Sequence, residues 1–199
     1  MIIYGGSFNP VTKAHIDVAN KVAELTGDKV YIVPCKHGKL GKEIIDIKHR
    51  ITMINLCGNI DKNVLVSTFE QEFDSFSTYV MLKQIHSFLC GQPCYSGALG
   101  LTLKVLIGMD CAVNIYRWHN YKELIEEYPF IIIPRKGYSV EDTDWFLEPP
   151  HTYMSKVEVD NISSTEIRGA IKNNDKTLIK KYLDETVYKY ILENNLYKD

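Results

Sequence analysis

The chain has 199 residues, 45% of them hydrophobic, with 23 basic against 25 acidic side chains and a net charge of −2. That length supports one substantial core, and no Pro/Gly/Ser-rich linker or charge block divides it, so a single domain over residues 1–199 is expected, a main core at 1–160 and a C-terminal segment at 161–199. The near-neutral balance gives no electrostatic footprint for nucleic acid; five scattered cysteines and a start without a basic n-region and long apolar h-region point to a reducing cytoplasm and away from a membrane.

In chain order, an apolar opening at residues 1–4 reads as a strand, and Gly5-Gly6 as a tight turn into an amphipathic helix at 14–25. A glycine turn at a helix N-terminus offers free N–H groups and the positive end of the helix dipole, which suits phosphate. The loop lacks the Gly-Lys-Ser/Thr ending of a Walker A motif and the Gly-x-Gly-x-x-Gly dinucleotide spacing. It carries Thr12-x-x-His15 instead, a hydroxyl and an imidazole on one helix face, both aimed at the loop. His15 can donate to a phosphoryl oxygen; Thr12 can cap the helix after Pro10 and also touch phosphate. Further strands are expected at 29–34, 63–66, 104–107, 130–133 and 153–157, alternating with helices at 48–57, 78–89 and 121–127. This is the order of a doubly wound parallel sheet, whose ligands sit at the carboxyl ends of its strands. Pro34, Thr68-Phe69-Glu70, Gly108-Met109-Asp110 and Pro134-Arg135 fall at that rim, as does a lysine- and glycine-containing loop at 36–42, expected to close over phosphates. Cys90-Gly-Gln-Pro-Cys94 has no second ligand pair nearby and reads as a loop, not a metal site. Ser163 with Glu166 forms a capping box for a helix to about residue 172, and helices at 175–183 and 185–193 follow. Ser163, Ser164 and Arg168 at that helix start could converge on a triphosphate.

Two strings bring the chain close to a known family. Gly-Ser-Phe-Asn-Pro-x-Thr-x-x-His at the first loop and Ile162-Ser163-Ser164-Thr165-Glu166-Ile167-Arg168 near the C-terminus resemble the two signatures of the nucleotidylyltransferase superfamily, in particular of nicotinamide/nicotinate mononucleotide adenylyltransferases. Many relatives carry His-x-Gly-His where this chain has Thr12 and Ala14, so the chain is similar to the Thr-x-x-His form of eukaryotic-type members. The resemblance implies a Rossmann-like α/β fold and adenylyl transfer from ATP to nicotinamide or nicotinic acid mononucleotide, with Mg2+ carried by the ATP phosphates. It implies His15, Lys42 and Arg168 as catalytic groups. ATP would meet Gly6, Ser7, Phe8, Thr12, His15, Gly108, Asp110 (through the ribose), Ile162, Ser163, Ser164 and Arg168. The mononucleotide would meet Ser7, Asn9, Phe69, Thr78 and Trp118, the indole stacking on the pyridine ring. The triphosphate lysine could be Lys39 in place of Lys42, and Arg135 matches a family string without a derivable role. The C-terminal string ending Asn194-Asn195-Leu196-Tyr197 also resembles the family and reads as packing. A pantetheine-phosphate adenylyltransferase-like enzyme, or a nucleotide-binding module without turnover, are the alternatives; amide against acid mononucleotide and homo-oligomerisation stay open.

Overall fold

The computed structural model describes residues 1–36, 44–73, 77–91, 102–157, 160 and 162–198. Lys39, Lys42 and Cys94 lie outside the described residues, as does most of the loop expected to close over phosphates.

Six strands form one parallel sheet in the order β3-β2-β1-β4-β5-β6: β1 Ile2–Gly6, β2 Val30–Pro34, β3 Val64–Val66, β4 Lys104–Gly108, β5 Phe130–Ile133 and β6 Thr152–Tyr153. Both faces are buried, as parallel sheets require, so successive residues of a strand enter different cores. Ile2, Val30, Ile32, Val64, Leu106 and Ile131 join one core with helices α1 Lys13–Thr26, α2 Ile47–Asn55, α7 Ser164–Lys172, α8 Lys176–Tyr182 and α9 Glu185–Glu193. Ile3, Val33, Val105, Ile107, Phe130 and Ile132 join the other, with α4 Thr78–Cys90, α5 Met109–Val113 and α6 Tyr121–Glu127.

The expected strands and longer helices are present. Two short helices were not foreseen: α3 Phe69–Phe73 and α5, each a single extended turn too brief to show a period. The last strand is shorter than the expected 153–157. It stops at Tyr153, where the Met154 N–H still reaches Ile132, but the Val157 N–H then closes a turn on the Met154 carbonyl and turns the buried Val157 into the first core. No helix among the described residues is long and apolar enough to cross a membrane.

One feature of register positions the site. β1 pairs with β2 along its whole length, to Gly6 opposite Pro34, but with β4 only through Ile2–Lys104 and Ile3–Val105. Beyond that point the two central strands separate, and the chain's direction of winding reverses between them, which opens a crevice at their carboxyl ends.

The sheet's dependence on its central strands is measurable. Ile32 is fully buried on the α1/α2 face, so Ile32→Ala is expected to cost about 2–5 kcal/mol. Urea unfolding should show that loss as a lowered midpoint with an unchanged slope.

Candidate active site

The loop between β1 and α1 sits over the crevice in an unusual backbone conformation. Phe8 has a φ of 46°, left-handed for a bulky residue, and its ring is buried edge-on to Tyr4 at 5.5 Å and to His15 at 5.2 Å between centroids. A side chain at Gly6 would begin 3.0 Å from the Phe8 ring, so only glycine lets the ring lie across the strand end. The ring of Phe8 is therefore spent on packing, and what it can offer a ligand is main chain.

Thr12 is the N-cap of α1, and His15 stands where a capping box places its third helical residue. The Thr12 N–H donates to His15 Nδ1 at 3.1 Å, and Thr12 Oγ1 lies 2.7 Å from the same nitrogen. An N–H can only donate, so Nδ1 must be an acceptor and the neutral imidazole carries its proton on Nε2. Burial pushes the His15 pKa down to about 4, and the nearby Arg135 charge acts in the same direction. Thr12 itself is buried, its hydroxyl turned to the imidazole.

Two cavities share His15, Arg135 and Ile162 in their walls. A small one, about 30 Å³, lies in the crevice itself, bounded by Tyr4, Ala14, Leu106, Gly108 and Pro134 among others. The larger, about 200 Å³, is lined by Ser7, Asn9, Ile44 and the start of α7, Ser163 through Thr165 with Arg168. Arg135, two residues past β5, reaches both, and its guanidinium makes no hydrogen bond or salt bridge to the described residues. Arg135, whose charge is felt by the Glu166 carboxylate without a salt bridge to it, stands beside a neutral imidazole donor and two helix N-termini, a set of groups that suits an anion.

Ser163 and Glu166 form the expected capping box: the Ser163 N–H and hydroxyl both donate to Glu166 Oε2, at 2.8 and 2.7 Å. Ser164 donates its hydroxyl to the Pro10 carbonyl at 2.8 Å, and Arg168 donates to the Asn9 carbonyl at 2.7 Å and to Thr165 Oγ1 at 3.1 Å. The second motif thus grips the first across more than 150 residues of sequence. In this state the Ser163 and Ser164 side chains hold structure, and the α7 N-terminus and the Arg168 edge line the cleft.

Asp110 lies within the first turn of α5, whose N-cap is Gly108. Its carboxylate folds back over the strand end, where a Cβ on Gly108 would stand 2.5 Å from Asp110 Oδ1. Phe69, Thr78 and Trp118 do not line either cavity. Phe69 begins α3 with its ring against Tyr31 and Phe73, Thr78 begins α4, and Trp118, half-buried, follows a 3-10 turn at Ile115–Arg117 and packs on the second core. They stand on the other flank of the sheet's carboxyl rim from α7.

Two contributors have no motif. Arg50, on the buried face of α2 with Met53 and Ile54, is fully buried and donates to the carbonyls of Ile45 and Ser7 at 3.0 and 2.8 Å. Tyr197, after α9, donates to Asn9 Oδ1 at 2.8 Å. A charged residue on an otherwise apolar helical stripe was a readable signal for Arg50; nothing local marks Tyr197.

The titration of His15 tests this geometry. Its folded pKa lies below the unfolded value, so the unfolded chain binds more protons between them; the group's stabilising contribution is present above about pH 6.5 and is lost as the pH falls from there toward 4. Nitrogen NMR of the ligand-free protein should report an Nε2–H tautomer at neutral pH and a midpoint near 4; a midpoint near 6.5 would contradict the arrangement.

Comparison with known proteins agrees with this geometry. Residues 3–170 match the cytidylyltransferase-like family model. The chain is 32% identical over 201 residues, covering 100% of itself and 98% of the relative, to a protein of Acholeplasma laidlawii named "Probable nicotinate-nucleotide adenylyltransferase", and 30% identical to one of the same name from Desulfotalea psychrophila, with 98% of each chain covered. Among solved structures it is similar to the Plasmodium falciparum nicotinic acid mononucleotide adenylyltransferase complexed with NaAD, at a TM-score of 0.81 and 28% identity over 98% of this chain and 96% of that one. With a split parallel sheet, a glycine loop leading into a helix N-terminus and this likeness over its whole length, the chain belongs to the cytidylyltransferase-like family, among its nicotinate-nucleotide adenylyltransferases.

Proposed function

We propose that the chain joins ATP to nicotinic acid mononucleotide, giving the deamido dinucleotide and pyrophosphate. The observation that carries this reading is the convergence of His15, Arg135 and Arg168 with the N-termini of α1 and α7 on one cleft at the β1/β4 split. The acid mononucleotide is chosen because the relatives are named for it and because an additional carboxylate suits a site rich in positive groups.

The chemistry needs no covalent intermediate. An oxygen of the mononucleotide 5′-phosphate attacks the α-phosphorus of ATP in line; that P–O bond forms as the bond to the pyrophosphate oxygen breaks, and the electron pair leaves with pyrophosphate. His15, neutral and carrying its proton on Nε2, donates to an α-phosphoryl oxygen as charge builds there. Arg168 and the α7 N-terminus take the β- and γ-phosphates. Arg135, between the two cavities, faces the phosphates from the β5 side, and Asn9 meets the mononucleotide phosphate. Asp110 meets the ribose of ATP, and the unburied part of Trp118 stacks on the pyridine ring. The side chains lining the larger cavity are hydroxyls, an amide, an imidazole and guanidiniums with no carboxylate among them, so a magnesium ion would be carried by the ATP phosphates and would offset their charge there.

Pyrophosphate release with ATP and each mononucleotide tests the reading: turnover is expected with both components present, with kcat/KM higher for the acid, whereas ATP binding without turnover would leave a nucleotide-binding module. His15→Ala should lower kcat a hundredfold or more while the ATP KM changes little, since a hydrogen bond that strengthens in the transition state is worth about 2.7–4 kcal/mol.

Trp118 offers a separate check. Stacking predicts that Trp118→Ala weakens the mononucleotide by about 1–2 kcal/mol and spares ATP. A purely structural indole predicts a loss of about 3–5 kcal/mol in stability that harms both substrates together. Thermal melts beside the two KM values distinguish them.

A further inference from the structure

The string around Tyr197 reads in sequence as helix packing, yet the phenol reaches the nucleotide loop. Its hydroxyl donates to Asn9 Oδ1 at 2.8 Å across 188 residues of chain. Burial raises this phenol above its ordinary range, so it keeps its proton and remains a donor. Asn9 is almost fully buried, at 4% exposure, and lines the larger cavity. Its carboxamide has one oxygen and one nitrogen, and the oxygen is taken by Tyr197. The nitrogen makes no hydrogen bond to the described residues and is not among the buried polar atoms sealed from solvent without a partner, so it opens on the cleft. The backbone on either side is fixed as well, the Ser7 carbonyl by Arg50 and the Asn9 carbonyl by Arg168.

We infer that Tyr197 is a positioning residue for the transfer reaction: by holding Asn9 Oδ1 it presents the carboxamide NH2 of Asn9 to the phosphate of the mononucleotide. Without that hydroxyl the amide is free to turn its oxygen toward the cleft, placing an acceptor lone pair against an anion. The contact therefore sets the sign of the dipole that a phosphate meets, which a packing role would not do. The inference rests on the reading of Asn9 given above, and the experiment separates the two.

Four variants of the full chain are compared by steady-state kinetics and thermal melts: Tyr197→Phe, Asn9→Ala, the double variant, and Tyr190→Phe. The last removes a similar phenol contact, 2.8 Å to His49 Nδ1, from α9 without touching the loop. Tyr197→Phe is expected to raise the mononucleotide KM about tenfold, the size of one hydrogen bond to a charged group, with the ATP KM and melting temperature nearly unchanged. Asn9→Ala should show a defect at least as large, and adding Tyr197→Phe to it should change nothing further, because the phenol acts through the amide. Tyr190→Phe should match the parent enzyme. Effects that multiply in the double variant, or a Tyr197→Phe loss that falls on both substrates together with stability, overturn the inference. An impaired Asn9→Ala beside an unaffected Tyr197→Phe overturns it alone and leaves the role of Asn9 standing. Unaltered kinetics in Asn9→Ala overturn both.

Discussion

The separation of β1 from β4 is the constraint on which the site depends. Their pairing ends at Ile3 and Val105, and from there Tyr4 to Gly6 stay with β2 while Leu106 to Gly108 stay with β5. Two adjacent parallel strands that part company leave unpaired backbone and a crevice at the point where the winding reverses. Both crossing segments must enter it tightly. That is why glycine stands at each strand end, under the Phe8 ring at Gly6 and under the Asp110 carboxylate at Gly108. A β-carbon at either place would push away the group that lies over it.

The loop above the crevice is held from three directions. Arg50 of α2 takes the Ser7 carbonyl, Arg168 of α7 takes the Asn9 carbonyl, and Ser164 takes the Pro10 carbonyl. These contacts satisfy main-chain oxygens, so they fix the loop without using its N–H groups, of which that of Thr12 is taken by His15 Nδ1. An anion-binding loop needs this polarity: acceptors turned inward, donors outward. Arg50 is unusual for a fully buried cation: its hydrogen bonds to Ile45 and Ser7 go to main-chain carbonyls, one guanidinium nitrogen lacks a hydrogen bond, and the Cys35 side chain and the Glu70 carboxylate are the groups that favour its charge. Desolvation lowers its affinity for its proton, yet a guanidinium starts so far above neutrality that it stays charged and adds to the positive potential beneath the loop.

Much of this was legible in the sequence, and the rest was not for identifiable reasons. Strand cores such as residues 30–34 and 130–133 are continuous apolar runs bounded by turn residues, the pattern of a sheet buried on both faces. The capping box at Ser163 and Glu166 needs only four residues and was readable in full. What local patterns cannot show is contact across the fold. That Ser164 and Arg168 reach back to Pro10 and Asn9, or that Arg135 lies between two cavities, depends on strand order. Tyr197 read as packing because it closely follows a packed helix; its hydroxyl bonds to Asn9, 188 residues away. Phe69, which the resemblance placed against the mononucleotide, has its ring against Tyr31 and Phe73.

The departure of this loop from His-x-Gly-His has a physical reading in the same geometry. A hydroxyl at the N-cap is among the favoured caps, and here it does a second thing by lying 2.7 Å from His15 Nδ1. With Nδ1 committed to Thr12, the imidazole keeps one tautomer and one donor. A histidine at the same place would add a second titratable ring to a site where Arg135 already disfavours protonation of the first. Thr12 achieves the orientation without that electrostatic conflict. Ala14, buried along the crevice, fills the space beside it with a single methyl group. With a hydroxyl at 12 and a methyl at 14 the loop carries a single imidazole held in one tautomer, and the guanidiniums of Arg135 and Arg168 line the larger cavity beside it.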